Sequence, residues 1–179
     1  DNIPQAHQIA GVPYIRQEDY HCGPATLGMA LGHINHPVAV ETLIPMVYSP
    51  ERRGSLQPFM IAAARRLGLI AVEIDSFHDL LLEIAADNPV IILQNNGLSW
   101  LPRWHYAIAT GYDIKQQTLT LHSGSIPDYQ IDWARLYQTW ARSRFWGLVI
   151  TPPEKIPASA TAPAHFLAAA TLEQSGFVD

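Results

Sequence analysis

The sequence holds a single cysteine, Cys22, among 179 residues. That scarcity excludes an intramolecular disulfide, a multi-cysteine zinc site and a dithiol redox motif. It leaves Cys22 as either a small buried hydrophobe or a reactive thiol. Basic residues are also few. With 11 Lys plus Arg against 16 Asp plus Glu, the formal net charge is −5, and no basic stripe exists for a nucleic-acid backbone. The pairs Arg52-Arg53 and Arg65-Arg66 read as solvated surface. No apolar run approaches the roughly 18 residues of a membrane span; Pro89 to Leu93 is strand-sized. Glycine (11) and proline (14) are near average usage, which excludes collagen-like and low-complexity classes. What is present is a chain that is 48% hydrophobic and 15% charged, enough to bury a core of about 150 residues with an appendage.

Residues 1–11 are polar and read as an irregular N-terminal extension, after which Val12-Pro13-Tyr14 reads as a short edge strand. Leu27, Ala30, Leu31 and Ile34 make one apolar stripe, predicting a helix to about His33 that begins at Cys22. A second helix is predicted over Val40 to Val47. A third, capped by Ser55, carries Leu56, Phe59, Met60, Ala63 and Leu67 and ends at Gly68. Ser76 followed by Asp79 resembles a capping box before a fourth. The period then changes. Leu69 to Ile74, Val90 to Gln94, His105 to Tyr112, Thr118 to His122, Tyr129 to Ile131 and Phe145 to Ile150 read as strands, with a helix from Trp133 to about Arg142 capped by Asp132. Helices first and antiparallel strands second predict an α+β domain over 12–150. Four prolines mark 151–164 as a linker, and 165–179 as the start of a C-terminal helical region, with tetratricopeptide-like repeats as one form it takes.

Chemistry concentrates in Gln17-Glu18-Asp19-Tyr20-His21-Cys22-Gly23-Pro24-Ala25. A thiol in the first turn of a helix meets unpaired N–H groups and the positive end of the dipole, which lowers its pKa. A cysteine nucleophile also needs a base and donors for the developing oxyanion. The Gln17 amide, five residues upstream, could supply one such donor beside the Cys22 N–H. Of eight histidines, His33 and His36 lie roughly 15 Å or more from the thiol at 1.5 Å per helical residue. His7, His78 and His165 sit on a terminus, a helix start and the tail, and His21 is adjacent to Cys22 but does not face it across the turn. His105 opens an apolar strand after an aromatic loop with Trp100 and Trp104, which are candidates for walling a substrate cleft.

Glutamine, then five residues on Cys-Gly-Pro-Ala opening a helix, and later His-Tyr-Ala-Ile-Ala-Thr-Gly-Tyr-Asp, together resemble the bacteriocin-processing (double-glycine leader) cysteine peptidase family and its stand-alone relatives. The resemblance spans about residues 12 to 150. It implies a papain-like fold, with N-terminal helices packed on an antiparallel sheet, and a cysteine peptidase with Cys22 as nucleophile, His105 as base and acid, and Gln17 as oxyanion donor. It also implies a peptide substrate, with double-glycine leader sites as one class. Gly-Ser-Leu-Gln at 54–57 and Asn-Gly-Leu-Ser-Trp before the histidine resemble a bacterial subgroup with helical repeats after the peptidase domain, and such repeats imply a protein partner.

The family's third residue is an Asp or Asn, usually followed by Pro, and here the sequence departs. If the hairpin turn centres near Lys115, paired positions sum to about 230, which sets Ser125 opposite His105 and Ser123 opposite Ala107, all on one face. By the family's spacing Ser123 takes the acidic place. Asp113 lies roughly 26 Å up the strand, while Asp128 could reach back from the following loop. A serine holds an imidazole's tautomer without stabilising an imidazolium as a carboxylate does. The second reading is therefore a catalytically silent papain-like module that binds a peptide and acts with downstream helical repeats. Amidase or acyl-transfer chemistry fits the same residues. A metal site is disfavoured, since Cys22 and His21 offer too few ligands, and no cofactor is implied. The chain begins at Asp1 without a methionine, so a removed leader would be invisible; an extracytoplasmic location, periplasmic or membrane-anchored, is slightly favoured.

Overall fold

A computed structural model describes residues 3–18 and 20–160. The elements in chain order are β1 (Ala6–Gln8), α1 (Cys22–His33), α2 (Val40–Val47), β2 (Tyr48–Ser49), β3 (Gly54–Ser55), α3 (Gln57–Arg66), β4 (Ile70–Ile74), α4 (Phe77–Ala85), β5 (Val90–Asn95), β6 (Trp104–Asp113), β7 (Thr118–Ser123), β8 (Ile126–Asp132), α5 (Trp133–Trp140), a 3-10 turn (Ala141–Ser143) and β9 (Gly147–Thr151). Seven strands form one sheet in the order β4-β9-β5-β6-β7-β8, with β1 added to β6, and every pairing is antiparallel. Strands β2 and β3 make a separate two-stranded ribbon.

Alternation along the strands divides the core in two. Ile91, Tyr106, Ile108 and Leu148 pack with Leu27, Leu31, Leu43 and Met60 of α1 to α3. Their neighbours Val90, Ile92, Ala107 and Val149 face the other way, onto Leu80 and Ile84 of α4 and Leu136 and Trp140 of α5. The sheet is thus covered on both faces. This accounts for the unbroken apolar runs of β5 and β9, which are buried throughout.

Local chemistry explains the element starts. The Ser76 hydroxyl accepts the Asp79 N–H at 3.1 Å, and the Asp132 carboxylate accepts the Arg135 N–H at 2.9 Å, as the capping patterns predict. Three expectations need correction. Ser55 does not cap α3. It closes the β2–β3 ribbon, while α3 starts at Gln57 behind Leu56 with Pro58 in its first turn. The edge strand is not Val12-Pro13-Tyr14 but Ala6–Gln8, inside the stretch expected to be irregular. Gly111 makes that possible, since a Cβ there would collide with the Gln8 side chain, whose amide bonds Thr110 Oγ1 at 3.2 Å.

The third correction concerns the linker. Thr151 ends β9, and residues 152–160 lie on the domain. Ser159 donates from both N–H (2.7 Å) and Oγ (2.6 Å) to the Glu83 carboxylate, Lys155 Nζ donates to the Ala86 carbonyl at 3.1 Å, and Ala160 packs on Ile70 and Val72. Glu83 is fully buried and also accepts from Asn88 Nδ2 at 2.8 Å, so its oxygens draw the proline-rich segment inward. Residues 161–164 and the helical region expected over 165–179 lie outside the described residues.

Candidate active site

Helix α1 begins at Cys22 without a side-chain cap, His21 standing at the N-cap position. The thiol is half-buried, and it faces the backbone N–H groups of Tyr106, of Gly23 and of Cys22 itself. These donors favour a thiolate, as expected of a helix start. Burial acts more strongly in the opposite direction, so the Cys22 pKa is raised above its ordinary value. The expected depression of the thiol is thereby corrected: dipole and donors are present, and desolvation outweighs them.

His105 is the second residue of β6, pairing with Gln94 of β5, and precedes the residue whose N–H meets the thiol. On the contact between α1 and β6, the strand that bears His105 thus presents the N–H of the next residue, Tyr106, to the Cys22 thiol. Burial lowers the His105 pKa, because an imidazolium there would lose its hydration. Its Nε2 lies 2.9 Å from Ser123 Oγ. The β6–β7 register explains this contact. Ile108 pairs with His122 and Ala109 with Leu121, so partners sum to 230 at the site end, and a bulge at Thr110 shifts the sum by one towards the turn. Ser123 then lies diagonally across from His105 on one face. Ser125 does not continue the pairing, since the chain turns at Gly124 with φ +59° and Ser123 pairs with Ile126 instead.

Asp128 reaches a different histidine. Its N–H donates to His122 Nδ1 at 3.2 Å and its carboxylate lies 3.9 Å from the same nitrogen, while His122 Nε2 donates to the Val12 carbonyl at 3.2 Å. His122 is therefore a structural residue bonded at both ring nitrogens, and Asp128 is engaged there rather than at His105. The same corner steadies Gln17: its backbone N–H donates to the Gly124 carbonyl at 3.3 Å, and Tyr14 Oη donates to that carbonyl at 3.0 Å. Both side-chain amide atoms of Gln17 are buried without a hydrogen-bond partner among the described residues. An unpaired buried amide is costly and marks a group held for a ligand or for strain.

Trp100 and Trp104 stand on or beside the loop between β5 and β6 and are 77% and 51% exposed. That loop is tied to itself. Asn95 Oδ1 accepts from Gly97 N–H and Arg103 N–H, each at 2.9 Å, Leu98 and Leu101 exchange backbone hydrogen bonds, and Arg142 donates to the Asn95 and Gly97 carbonyls. Sequence reasoning missed two contributors. Tyr106, read only as an apolar strand residue, supplies an N–H to the thiol, and Ser55, read as a cap, buries its hydroxyl against Gly23 without a hydrogen-bond partner among the described residues. The adjacency of Tyr106 to His105 was the one available signal for the first; nothing local signalled the second. Among the described residues no helix is long and apolar enough to cross a membrane.

Three solved structures show the same architecture. A Bacillus anthracis structure described as a C39-like peptidase superposes with a TM-score of 0.70 at 16% identity, covering 83% of this chain and 98% of that one. The peptidase domain of Streptococcus ComA, a bifunctional transporter of a quorum-sensing pathway, gives 0.61 at 18% identity, with 79% and 98% covered. A double-glycine-motif protease from an AMS/PCAT transporter, solved with its leader peptide, gives 0.61 at 22% identity, with 82% and 94% covered. These likenesses assign the papain-like fold of C39 peptidase domains. No curated protein matches the chain. The family model described as Peptidase_C39 like family matches residues 9–146, most of the described structure and both Cys22 and His105, and the chain accordingly belongs to the C39-like peptidase family.

Proposed function

We propose that the chain is a cysteine peptidase in which Cys22 is the nucleophile, His105 the base and acid, Gln17 the oxyanion donor and Ser123 the residue that orients the imidazole. The observation that carries this reading is the convergence at the start of α1: the only thiol faces the backbone of the strand that bears His105, whose Nε2 lies 2.9 Å from Ser123 Oγ. With the thiol pKa raised and the imidazole pKa lowered, the resting pair is neutral. Proton and nucleophile then move together: His105 takes the S–H proton as sulfur attacks the carbonyl carbon. The Gln17 amide and Cys22 N–H hold the oxyanion; collapse breaks the C–N bond as His105 returns the proton to the leaving amine. Water, deprotonated by His105, then cleaves the thioester and restores the thiol. Trp100 and Trp104 wall the cleft. The substrate is a peptide, with leader peptides ending in paired glycine as the first class to try, by likeness to the protease solved with its leader peptide.

The second reading, a silent peptide-binding module acting with downstream helical repeats, is favoured by one observation: Ser123 is neutral where a carboxylate would stabilise an imidazolium. Alkylation by iodoacetamide between pH 5 and 9, native against His105→Ala, together with cleavage of double-glycine peptides, tests the choice. Catalysis predicts a His105-dependent alkylation rate and Cys22-dependent cleavage. Reaction as an ordinary free thiol, unchanged by His105→Ala, supports the silent module.

A further inference from the structure

Both neighbours of Cys22 rest on the small β2–β3 ribbon. On one side the His21 ring stands edge-on to Tyr48 of β2, with centroids 5.1 Å apart. On the other, Gly23 is pressed so closely onto the Ser55 side chain of β3 that a Cβ would overlap it. The far side of the ribbon is fastened to the histidine strand, because the Tyr106 phenol donates to the Ser55 carbonyl at 2.9 Å. Tyr106 is buried, its ring also meets Trp146 edge-on at 6.0 Å, and its own N–H faces the Cys22 thiol. One residue therefore touches the nucleophile through its backbone and, through its side chain, the support on which the nucleophile's helix start sits.

We propose that the β2–β3 ribbon is the spacer that sets the distance between the Cys22 thiol and His105, and that the Tyr106 hydroxyl is the clamp that fixes it. Tyr106 and Tyr48 are then positioning residues: neither exchanges a proton with substrate, and both act through Cys22. The physical case is that α1 packs on β6 through Leu27 and Leu31, while its first turn, where Cys22 stands, also leans on a two-stranded ribbon that has little stability of its own. Without a clamp the ribbon can shift, and a displacement of about 1 Å at a reacting pair costs on the order of a hundredfold in rate. Phenol-to-carbonyl bonding at the buried end of the ribbon removes that freedom.

This inference rests on Cys22 and His105 working as a pair, and its test separates the two claims. The rate of Cys22 alkylation by iodoacetamide is measured from pH 5 to 9 in the native chain, His105→Ala, Tyr106→Phe and the Tyr106→Phe/His105→Ala double variant, with circular dichroism and thermal midpoints as folding controls. Tyr106→Phe keeps the ring and removes only the hydroxyl. The expected result is a fall of about tenfold or more in the His105-dependent rate, a profile moved towards that of His105→Ala, and no further loss in the double variant. Tyr48→Ala, which loosens the other end of the ribbon, moves the profile the same way and carries the test should Tyr106→Phe fail to fold. If His105→Ala slows alkylation while both tyrosine variants superpose on the native profile, the spacer is overturned and the pair stands. If His105→Ala itself changes nothing, the pair and the spacer fall together.

Discussion

At the scale of single residues, the site is governed by desolvation rather than by fixed charge. Burial raises the Cys22 pKa and lowers that of His105, and the hydroxyl of Ser123 adds no charge to offset either. Ser123→Asp is therefore expected to raise the imidazole pKa, lower the thiol pKa and speed alkylation at pH 6 to 7 relative to native; an unchanged profile would show that the position does not reach the pair. The same burial couples to stability. His105 binds its proton more weakly folded than unfolded, so the unfolded chain takes up more protons below the ordinary value of 6.5, and stability falls as pH drops through that region. Denaturant unfolding at pH 5 and 7.5 is expected to show this loss in the native chain and a smaller one in His105→Ala. At Gly23 the constraint is steric. Gly23→Ala forces Cβ into Ser55, and a loss of about 1–3 kcal/mol is expected by chemical denaturation.

At the scale of elements, the loop from β5 to β6 behaves as a built hairpin rather than a slack connection. Asn95 satisfies two of its N–H groups, and the Arg142 guanidinium clamps two of its carbonyls from the 3-10 turn after α5. With Leu98, Trp100, Leu101 and Trp104 all at least half exposed, rigidity here keeps large apolar side chains presented to solvent beside His105. Arg142→Ala is expected to speed proteolytic nicking between Gly97 and Arg103 and to raise KM for a peptide substrate several-fold more than it lowers kcat. Equal nicking rates in the two proteins would refute the clamp. Periodicity located most elements: α1 and α2 match their predicted spans closely, and both Ser76 and Asp132 cap as their side chains demand. Ser55 shows where local reading stops. A serine before an apolar run is a good cap in isolation, yet pairing Gly54–Ser55 with Tyr48–Ser49 removes it from the helix.

At the scale of the whole molecule, one buried carboxylate draws residues 152–160 onto the domain. Glu83 lies on α4 in a spacing that reads as an ordinary amphipathic helix, but it is fully buried and bonded to Asn88 and twice to Ser159. Glu83→Ala leaves three donors without their acceptor. It is expected to cost about 3 kcal/mol or more, at roughly 1–3 for each buried group left unpaired, and to expose residues 152–160 to hydrogen exchange. Retained protection of that segment would mean that Ala160 and Lys155 hold it unaided. Proline content reports backbone stiffness and so suggested a linker, whereas the docking of residues 152–160 depends on an acceptor 76 residues from Ser159 in sequence.

The sequence by itself determined the α+β layering, the cysteine at a helix start, the histidine at a strand mouth and the hairpin register that sets Ser123 and Ser125 on the face of His105. All of these follow from periodicities and spacings local to one element or one hairpin. Tertiary structure alone decided the balance of the thiol pKa, the pairing of Asp128 with His122, the role of Ser55 under Gly23 and the capture of Ser159 by Glu83. Each depends on desolvation or on contacts between elements distant along the chain, and neither leaves a periodic trace in the order of residues.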